Sequence, residues 1–411
     1  MTKWILVMPK SGSGSGSIIR VGGWKIRIRV DSSEWVFASP SHYKIGICSD
    51  TTTVRVEMEP DLLKSSLFHA DQRLCSAEIL PPSQISRKYD NSGLRHGLLS
   101  DVSSVFLSHS VCTRSLMRAN DAKAFVRVWM VMAMCFRILV QGKLATQREL
   151  FYKLLCDAPE YFRSQRQVNR TVQDVVALLR CTRHSLGIMA SSRGAVIGRM
   201  VLEEPGEQIV DCSMIGHAGY AVTGDLCTLS KLVLHSDARY IIIIEKDAIF
   251  QRLAEDHFFN QIPCILITSK GYPDIATRFL LHRISQTFPD MTILALMDWN
   301  PSGLAILCTY KFGSITTGLE SYRYACNVKW LGLRADDLQI IPQQVMMQLK
   351  PHEIKTAKSL MSSKLLQERY QAELSLMVER GHRAEIEALY CHGFDFLGKY
   401  IAKKIVQADY I

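Results

Sequence analysis

A run of four isoleucines, Ile241–Ile244, constrains the fold of this chain more than any other feature. The run is too short for a helix and too apolar for a strand that faces water, so it predicts a strand buried on both faces, as in a parallel sheet. A second apolar run, Ile293–Met297, follows about fifty residues later. Helical and strand patterns alternate from Ala238 to Leu333. We therefore expect an α/β domain with helices on both faces of a parallel sheet.

Each of these two apolar runs ends in an acid. Glu245 follows the isoleucines, and Asp298 follows Met297. The carboxyl ends of parallel strands meet at one edge of a sheet, where such folds place their chemistry. Carboxylate oxygens are the ligands that Mg²⁺ prefers. The sequence therefore predicts a Mg²⁺ site at this edge, and the alternative is that each acid only caps the helix that follows it.

Composition indicates the kind of partner and argues against disulfides, zinc sites and membrane spans. The 411 residues suffice for several domains, and the net charge of +10 predicts an acidic partner, with nucleic acid first and an anionic membrane second. The 12 cysteines are scattered singly, without CxxC pairs or zinc spacing, which favours reduced thiols in an intracellular protein. The most apolar helical stretch, 124–140, contains Arg127 and Arg137, so we expect a core helix and no membrane partner.

The sequence divides into segments of different character. Alternating serine and glycine at Ser11–Ser17 are typical of a flexible linker, so the N-terminal extension is expected to be disordered or to form a short basic arm. The predicted division is an atypical extension at 1–67, a helical or partner-binding segment at 68–120, a first catalytic domain at 121–202, a linker at 203–237, and a metal-binding domain with C-terminal helices at 238–411.

The first catalytic domain has the element order of a winged helix-turn-helix module, a scaffold that docks on DNA. Thr146 is a candidate N-cap for the second helix, and Asn169 or Thr171 for the third. Between Arg148 and Arg199 there are nine Lys or Arg and four Asp or Glu. The alternative is a small helical domain whose basic residues only form a solvated charged face. The predicted elements are helices at Ala122–Gln141, Arg148–Cys156 and Val172–Arg180, followed by a β-hairpin of Ser185–Met189 and Ala195–Val201.

The second helix carries a candidate nucleophile. Arg148 and Tyr152 are four residues apart and share a helix face, with Phe151 turned to the core. A tyrosine hydroxyl can form a covalent intermediate, and on a basic helix its natural electrophile is a backbone phosphate of DNA. Arg148 would then neutralise the developing charge. Spacing alone does not separate this role from packing, which is the commoner role of a helical tyrosine.

From about Phe68 to Ile411 the chain resembles the meiotic double-strand-break transesterases, which are homologues of the A subunit of topoisomerase VI. The Trp299-Asn300 pair and the stretch Tyr322–Trp330 are most similar to the second plant paralogue. The motifs that carry the resemblance are Arg148–Tyr152, Ile244–Arg252, Lys270–Asp274, Asp298–Pro301, Lys329–Gly332 and Ala384–Leu389.

This resemblance implies a winged-helix nucleophile domain followed by a toprim metal domain. It implies that Tyr152 becomes linked to a 5′ phosphate of double-stranded DNA and that Glu245 and Asp298 bind Mg²⁺. Asn300 stands where the family's Asp-x-Asp motif has its second acid, which puts a second metal in question. Arg183, Arg193, Lys270 and Arg278 are expected to contact DNA.

The resemblance also implies partners. The tyrosine of one protomer works with the metal site of the other, in a homodimer or a heterodimer with a paralogue. A topoisomerase VI B-like ATPase subunit is expected to bring the dimer to its cutting state, and the location is expected to be the nucleus.

Two other functions compete with an active transesterase that starts homologous recombination. The chain could be a DNA-binding partner of a catalytic paralogue, contributing no chemistry, and Asn300 favours this alternative. It could also be a toprim nuclease or primase that uses metal-activated water, but water would need no tyrosine on a winged helix.

Overall fold

The structure, a computed structural model, describes residues 119–411 except 180, 205, 207–208, 314–323 and 363–365, and the backbone of short strands between Thr2 and His109. Side chains are described from Ala122 onward. Most of the predicted segments 1–67 and 68–120, and Tyr322, lie outside these residues. The early strands are β1 (Thr2–Val7), β2 (Ser17–Val21), β3 (Trp24–Ile28), β4 (Ile45–Cys48), β5 (Thr53–Met58), β6 (Ile85–Tyr89) and β7 (Val105–His109), paired in the orders β1-β5-β4, β2-β3 and β6-β7.

The chain divides into two units, and the helices of the first unit form a core of their own. Leu150, Leu154, Phe162 and Val176 lie in this core with at most 1% of their surface exposed. The three predicted helices are confirmed. The elements are α1 (Ala119–Val140), β8 (Ala145–Thr146), α2 (Gln147–Asp157), α3 (Gln165–Leu179), a 3-10 turn at His184–Leu186 and β9 (Ile188–Met189).

Helix α3 begins earlier than predicted. Asn169 and Thr171 lie inside it, and the Thr171 hydroxyl donates to the carbonyl of Gln167 at 2.8 Å, so both proposed N-caps are wrong. The buried stripe of α3 already includes Val168, one turn before Val172. Because this apolar face packs against the core from Val168 onward, the helix is already formed before Thr171.

The second unit contains the alternating part of the chain, from Ala190 onward. The segment 203–237 is more than a linker, because it contains short strands and a helix. The strands are β10 (Ala195–Gly198), β11 (Val201–Glu203), β12 (Val210–Asp211), β13 (Tyr220–Ala221), β14 (Val233–His235), β15 (Tyr240–Ile244), β16 (Cys264–Thr268), β17 (Thr292–Leu296), β18 (Val328–Gly332), β19 (Met347–Gln348) and β20 (His382–Arg383).

Helices follow the strands of this unit as the alternation predicts, and others close its C-terminal part. The motif Ala384–Leu389 lies in no α-helix: it follows β20 and leads into a 3-10 turn. The helices are α4 (Leu226–Lys231), α5 (Asp247–Glu255), α6 (Phe258–Gln261), α7 (Ile275–Thr287), α8 (Pro301–Phe312), α9 (Pro351–Met361), α10 (Glu368–Arg380) and α11 (Phe396–Val406), with 3-10 turns at Ala335–Ile340, Gln343–Val345 and Ile386–His392.

The main sheet of the second unit has the strand order β13-β10-β16-β15-β17-β18. Strands β16, β15, β17 and β18 run parallel, whereas β10 and β13 are antiparallel additions. Ile241–Ile244 lie in the central strand β15 and are all 0% exposed. The predicted burial on both faces is confirmed. Burying each isoleucine side chain contributes about 2 kcal/mol to the free energy of folding.

The predicted β-hairpin is wrong. Strand β9 pairs in parallel with β8, and Ala195–Gly198 pairs instead with β16 in the second unit. All four residues of β10 are buried, so this strand needs a covering layer on each face. In the predicted hairpin, one face of this strand would lie in water, and the second covering layer would be missing.

None of the helices in the described part of the chain combines the length and the apolar composition that a bilayer crossing needs.

Candidate functional site

The tips of β15 and β17 bring two acids together. Ile244 pairs with Leu296, so the strands end level with each other. Glu245 and Asp298 follow and are only 8% and 3% exposed. The backbone N–H of Asp298 donates to Glu245 Oε2 at 2.9 Å, which fixes one acid against the loop that carries the other. The predicted meeting of these two acids at one sheet edge is confirmed.

Neither acid caps the helix that follows it, so the capping alternative is wrong. The N-cap of α5 is Lys246, and the N-cap of α8 is Asn300. The Asn300 side-chain oxygen accepts from the Gly303 N–H at 2.7 Å, while its Nδ2 lies 3.5 Å from Asp298 Oδ2. Asn300 therefore faces the acids, but its oxygen already serves the helix.

Gly303 lets the N-terminus of α8 approach both acids. A Cβ at this position would lie 2.5 Å from the Asp298 carbonyl oxygen and 3.1 Å from Glu245 Oε2. The first distance is too short for any side chain, so only glycine permits this approach. Gly303 could not be predicted from sequence, because no local pattern marks a close contact between a helix and a strand tip.

A segment near the C-terminus completes the surroundings of Asp298. The Ile386 N–H donates to Asp298 Oδ1 at 2.9 Å. Trp299 and Ala384 exchange backbone hydrogen bonds of 2.9 and 3.1 Å. The sequence alone predicted no role for the motif 384–389, although its two glutamates, Glu385 and Glu387, are residues that could have pointed to the acidic site. The structure shows that it holds the Asp298 loop in place.

The Lys246 ammonium lies among three carboxylates. Its Nζ is 3.2 Å from Asp298 Oδ2, 2.9 Å from Glu385 Oε2 and 2.5 Å from Glu387 Oε2. We call these four residues the Lys246 cluster. The cluster joins the tip of β17 to the C-terminal segment through one cation.

Burial dominates the electrostatics of the two strand-tip acids. Burial, and then the charge of Asp298, raise the pKa of Glu245 to about 8. Burial raises the pKa of Asp298 to about 6, against the lowering effect of Lys246. The charge of Glu387 adds to the rise in both pKa values. Although burial lowers the pKa of Lys246, its acidic neighbours raise it above the usual value, so the side chain stays an ammonium.

In the first unit, Tyr152 points outward from α2. Thr146 and Glu149 form a capping box at the start of the helix, so the predicted N-cap is confirmed. Leu150 and Leu154 are buried, which leaves the Tyr152 side chain 52% exposed on another face. The Arg148 guanidinium lies 5.8 Å from the centre of the Tyr152 ring, so the two residues share a face as predicted.

The chain is similar to proteins of a known family. Two family models match: the toprim domain of Spo11 and the topoisomerase 6 A subunit, over residues 240–405, and the type IIB DNA topoisomerase model, over 123–188. The meiotic recombination protein SPO11-2 of Oryza sativa subsp. indica is 64% identical over 383 residues, or 86% of this chain and 100% of that protein. The chain belongs to the family of Spo11 and the topoisomerase VI A subunit.

Two further relatives agree with this assignment. SPO11-2 of Arabidopsis thaliana is 60% identical over 377 residues, or 85% of this chain and 98% of that protein. The A3 subunit of DNA topoisomerase 6 from Oryza sativa subsp. indica is 35% identical over 319 residues, or 76% of this chain and 70% of that protein. The resemblance to the second plant paralogue, and to a toprim domain, is therefore confirmed.

The four basic residues expected to contact DNA in this family member differ in exposure. Arg193 and Lys270 are exposed, and Arg183 is half-buried. Arg193 donates to the Tyr272 carbonyl at 3.2 Å, and Lys270 pairs with Asp247 at 3.3 Å. Arg278 is only 2% exposed within α7. A DNA contact needs an accessible guanidinium, so the prediction for Arg278 is wrong.

The donor set at the sheet edge fits a divalent cation of the kind toprim domains bind. Two buried carboxylates supply hard oxygens, and Mg²⁺ commonly takes one or two protein carboxylates together with water and substrate oxygens. Within the described residues, no three His, Cys, Asp or Glu side chains form a ready metal cluster. In this arrangement the Lys246 ammonium, rather than a third acid, is the neighbour of Asp298.

Proposed function

We propose that this chain is a DNA transesterase that makes the double-strand breaks from which meiotic recombination starts. The observation that carries the proposal is the outward-facing Tyr152 beside Arg148 on a helix that packing and capping hold fixed. The family, whose relatives are named for meiotic recombination and DNA topoisomerase, makes DNA the substrate to expect.

In the proposed reaction, the Tyr152 hydroxyl oxygen attacks a phosphorus of the DNA backbone. The bond from phosphorus to the 3′ oxygen breaks, and a bond from phosphorus to the tyrosine oxygen forms. The tyrosine loses its proton to solvent, and the leaving 3′ oxygen takes one up. Arg148 stabilises the negative charge on the non-bridging phosphoryl oxygens in the transition state. One phosphodiester replaces another, so no ATP is consumed in the bond exchange.

Glu245 and Asp298 would hold Mg²⁺, with Asn300 beside them. When bound, the ion supplies Lewis-acid stabilisation to the phosphate and the leaving oxygen. The protein's own contribution is to hold the two carboxylates within one buried pocket, which Gly303 and the Ile386 N–H fix in position.

The helical part of the first unit is proposed to dock on DNA as a winged-helix module. Its three helices and the match of residues 123–188 to the type IIB DNA topoisomerase model support a role in DNA docking, although the predicted wing hairpin is absent from the described residues. Arg183 is proposed to contact phosphates from this unit. Arg193 and Lys270, which are exposed in the second unit, are proposed to do the same.

Family membership also supports partners and a location. We propose a dimer in which each tyrosine works with the metal site of the other protomer, a B-like ATPase subunit, and action in the nucleus. The word "subunit" in the name of the rice topoisomerase relative supports an assembly.

Mixed dimers test the shared site. A dimer of one Tyr152→Phe chain and one Glu245→Gln chain has one complete site, formed by the intact tyrosine and the intact acids of different chains. We expect it to nick one DNA strand, measured by strand-specific mapping of ends from a tagged, co-purified pair. Neither mutant homodimer should cut. A mixed dimer that cuts neither strand would contradict the sharing of the site between protomers.

One observation favours the alternative of a non-catalytic partner of a catalytic paralogue. Asn300 brings no charge to the metal site, and its oxygen is engaged with Gly303. If this alternative holds, Glu245→Gln in a chain paired with a catalytic paralogue will leave break formation unchanged.

A further inference from the structure

We infer that Glu387 is the third carboxylate of the cation site and supplies the charge that Asn300 lacks. The inference rests on the proposed function, because it concerns the same Mg²⁺ site. It assigns a role to a residue at the C-terminal end of the domain, far along the chain from the strand-tip acids.

The first support is geometric. One ammonium, that of Lys246, lies 2.5 Å from Glu387 Oε2 and 3.2 Å from Asp298 Oδ2. Glu387 and Asp298 therefore already share one cation. A divalent ion that replaces the ammonium would meet both carboxylates, since Lys246 is a long, flexible side chain that is partly exposed and can withdraw.

The second support is that Glu387 and its neighbour Glu385 differ in their other partners. Glu387 Oε2 lies 2.5 Å from Lys246 Nζ. Glu385 also pairs with Lys246, at 2.9 Å, but Arg383 Nη1 donates to its other oxygen, Oε1, at 3.1 Å. Arg383 therefore holds Glu385 from a second side, whereas the partner of Glu387 is the ammonium that a divalent ion would replace.

The third support is the rigidity of the connection. Residues on either side of Glu385 bond to the Asp298 loop, through the Ala384–Trp299 backbone pair and the bond from Ile386 N–H to Asp298 Oδ1. Glu387 follows Ile386 directly. Its backbone position relative to Asp298 is therefore set by three hydrogen bonds, as a ligand requires.

Charge gives a reason for the arrangement. Glu245 and Asp298 are the two acids at the strand tips, and Asn300 between them and α8 is neutral. An aspartate at position 300 would supply a further negative charge from the strand tip, and here the C-terminal segment supplies it.

The test is Mn²⁺ binding to the full-length chain, measured by electron paramagnetic resonance of the free ion. We expect Glu387→Gln to weaken Mn²⁺ binding by about 10-fold or more, and the matched control Glu385→Gln to weaken it by less than about threefold. Adding Asn300→Asp to Glu387→Gln should recover most of the affinity. Because the Glu387 side chain is 36% exposed, Glu387→Gln should fold normally, which thermal melting checks.

Three results would overturn the inference. One is wild-type affinity in Glu387→Gln, and another is an equal loss in Glu385→Gln, which would mean that only the summed charge matters. The third is a failure of the wild type itself to bind Mn²⁺, which would also remove the proposed metal site. Mn²⁺ binding that Glu245→Gln abolishes and Glu387→Gln spares would defeat this inference alone. The proposed chemistry is read separately, from covalent attachment of DNA at Tyr152.

Discussion

Replacing Tyr152 by phenylalanine is expected to abolish DNA breakage, lowering it by at least about 10⁴-fold, because the variant lacks the attacking oxygen. Folding should hardly change. The side chain is 52% exposed, and a surface substitution of this kind alters the free energy of unfolding by about 0.5 kcal/mol or less. The contact with Arg148 should persist, since a phenylalanine ring also attracts a guanidinium.

The measurement is break frequency in meiotic cells that express only the variant, together with thermal melting and DNA affinity of the purified chain. Tyr161→Phe is the matched control, since it removes a tyrosine hydroxyl from the same unit and should leave breaks at the wild-type level. Breaks that persist in Tyr152→Phe would show that another residue is the nucleophile.

Replacing Glu245 by glutamine is expected to lower break formation by about 10²-fold or more while the protein stays folded. In the wild type, the Asp298 N–H donates to Glu245 Oε2 at 2.9 Å, and a glutamine oxygen can accept the same hydrogen bond. The raised pKa already favours a neutral Glu245 when no cation is bound, and a neutral amide of the same shape replaces it, so the variant should melt close to the wild type. What it loses is the charge that would hold Mg²⁺.

Break frequency and Mn²⁺ binding measured on the same preparation check this prediction. Glu373→Gln serves as a control, because Glu373 is a partly buried glutamate that accepts from the Trp299 indole at 2.7 Å and lies outside the Lys246 cluster. It should keep Mn²⁺ binding. A Glu245→Gln chain that supports normal breaks would favour the non-catalytic partner alternative.

The strand tips were predictable from sequence because their signals are local. Four consecutive isoleucines can be satisfied only by burial on two faces, and an acid at the end of such a strand is visible in the chain. Thr146 and Glu149 mark the start of α2 in the same way. Each of these inferences depends on residues within one turn or one strand.

The features that could not be predicted from sequence depend on contacts between distant segments. Ala195–Gly198 has a strand pattern, but nothing local says that its partner is β16 rather than β9. Arg278 is an arginine on a helix, and only the packing of α7 shows that it is buried. The Lys246 cluster joins residues about 140 positions apart, so no spacing rule could have assembled it.

The most direct test of the account is to find the residue to which DNA becomes attached. DNA-linked protein from meiotic cells would be purified under denaturing conditions, digested with nuclease and trypsin, and analysed by mass spectrometry. We expect a nucleotide remnant on the peptide Glu149–Lys153, which contains Tyr152 as its only tyrosine. A remnant on a different peptide would contradict Tyr152 as the nucleophile. A chain that carries no DNA, purified from meiotic cells in which breaks form, would contradict it as well.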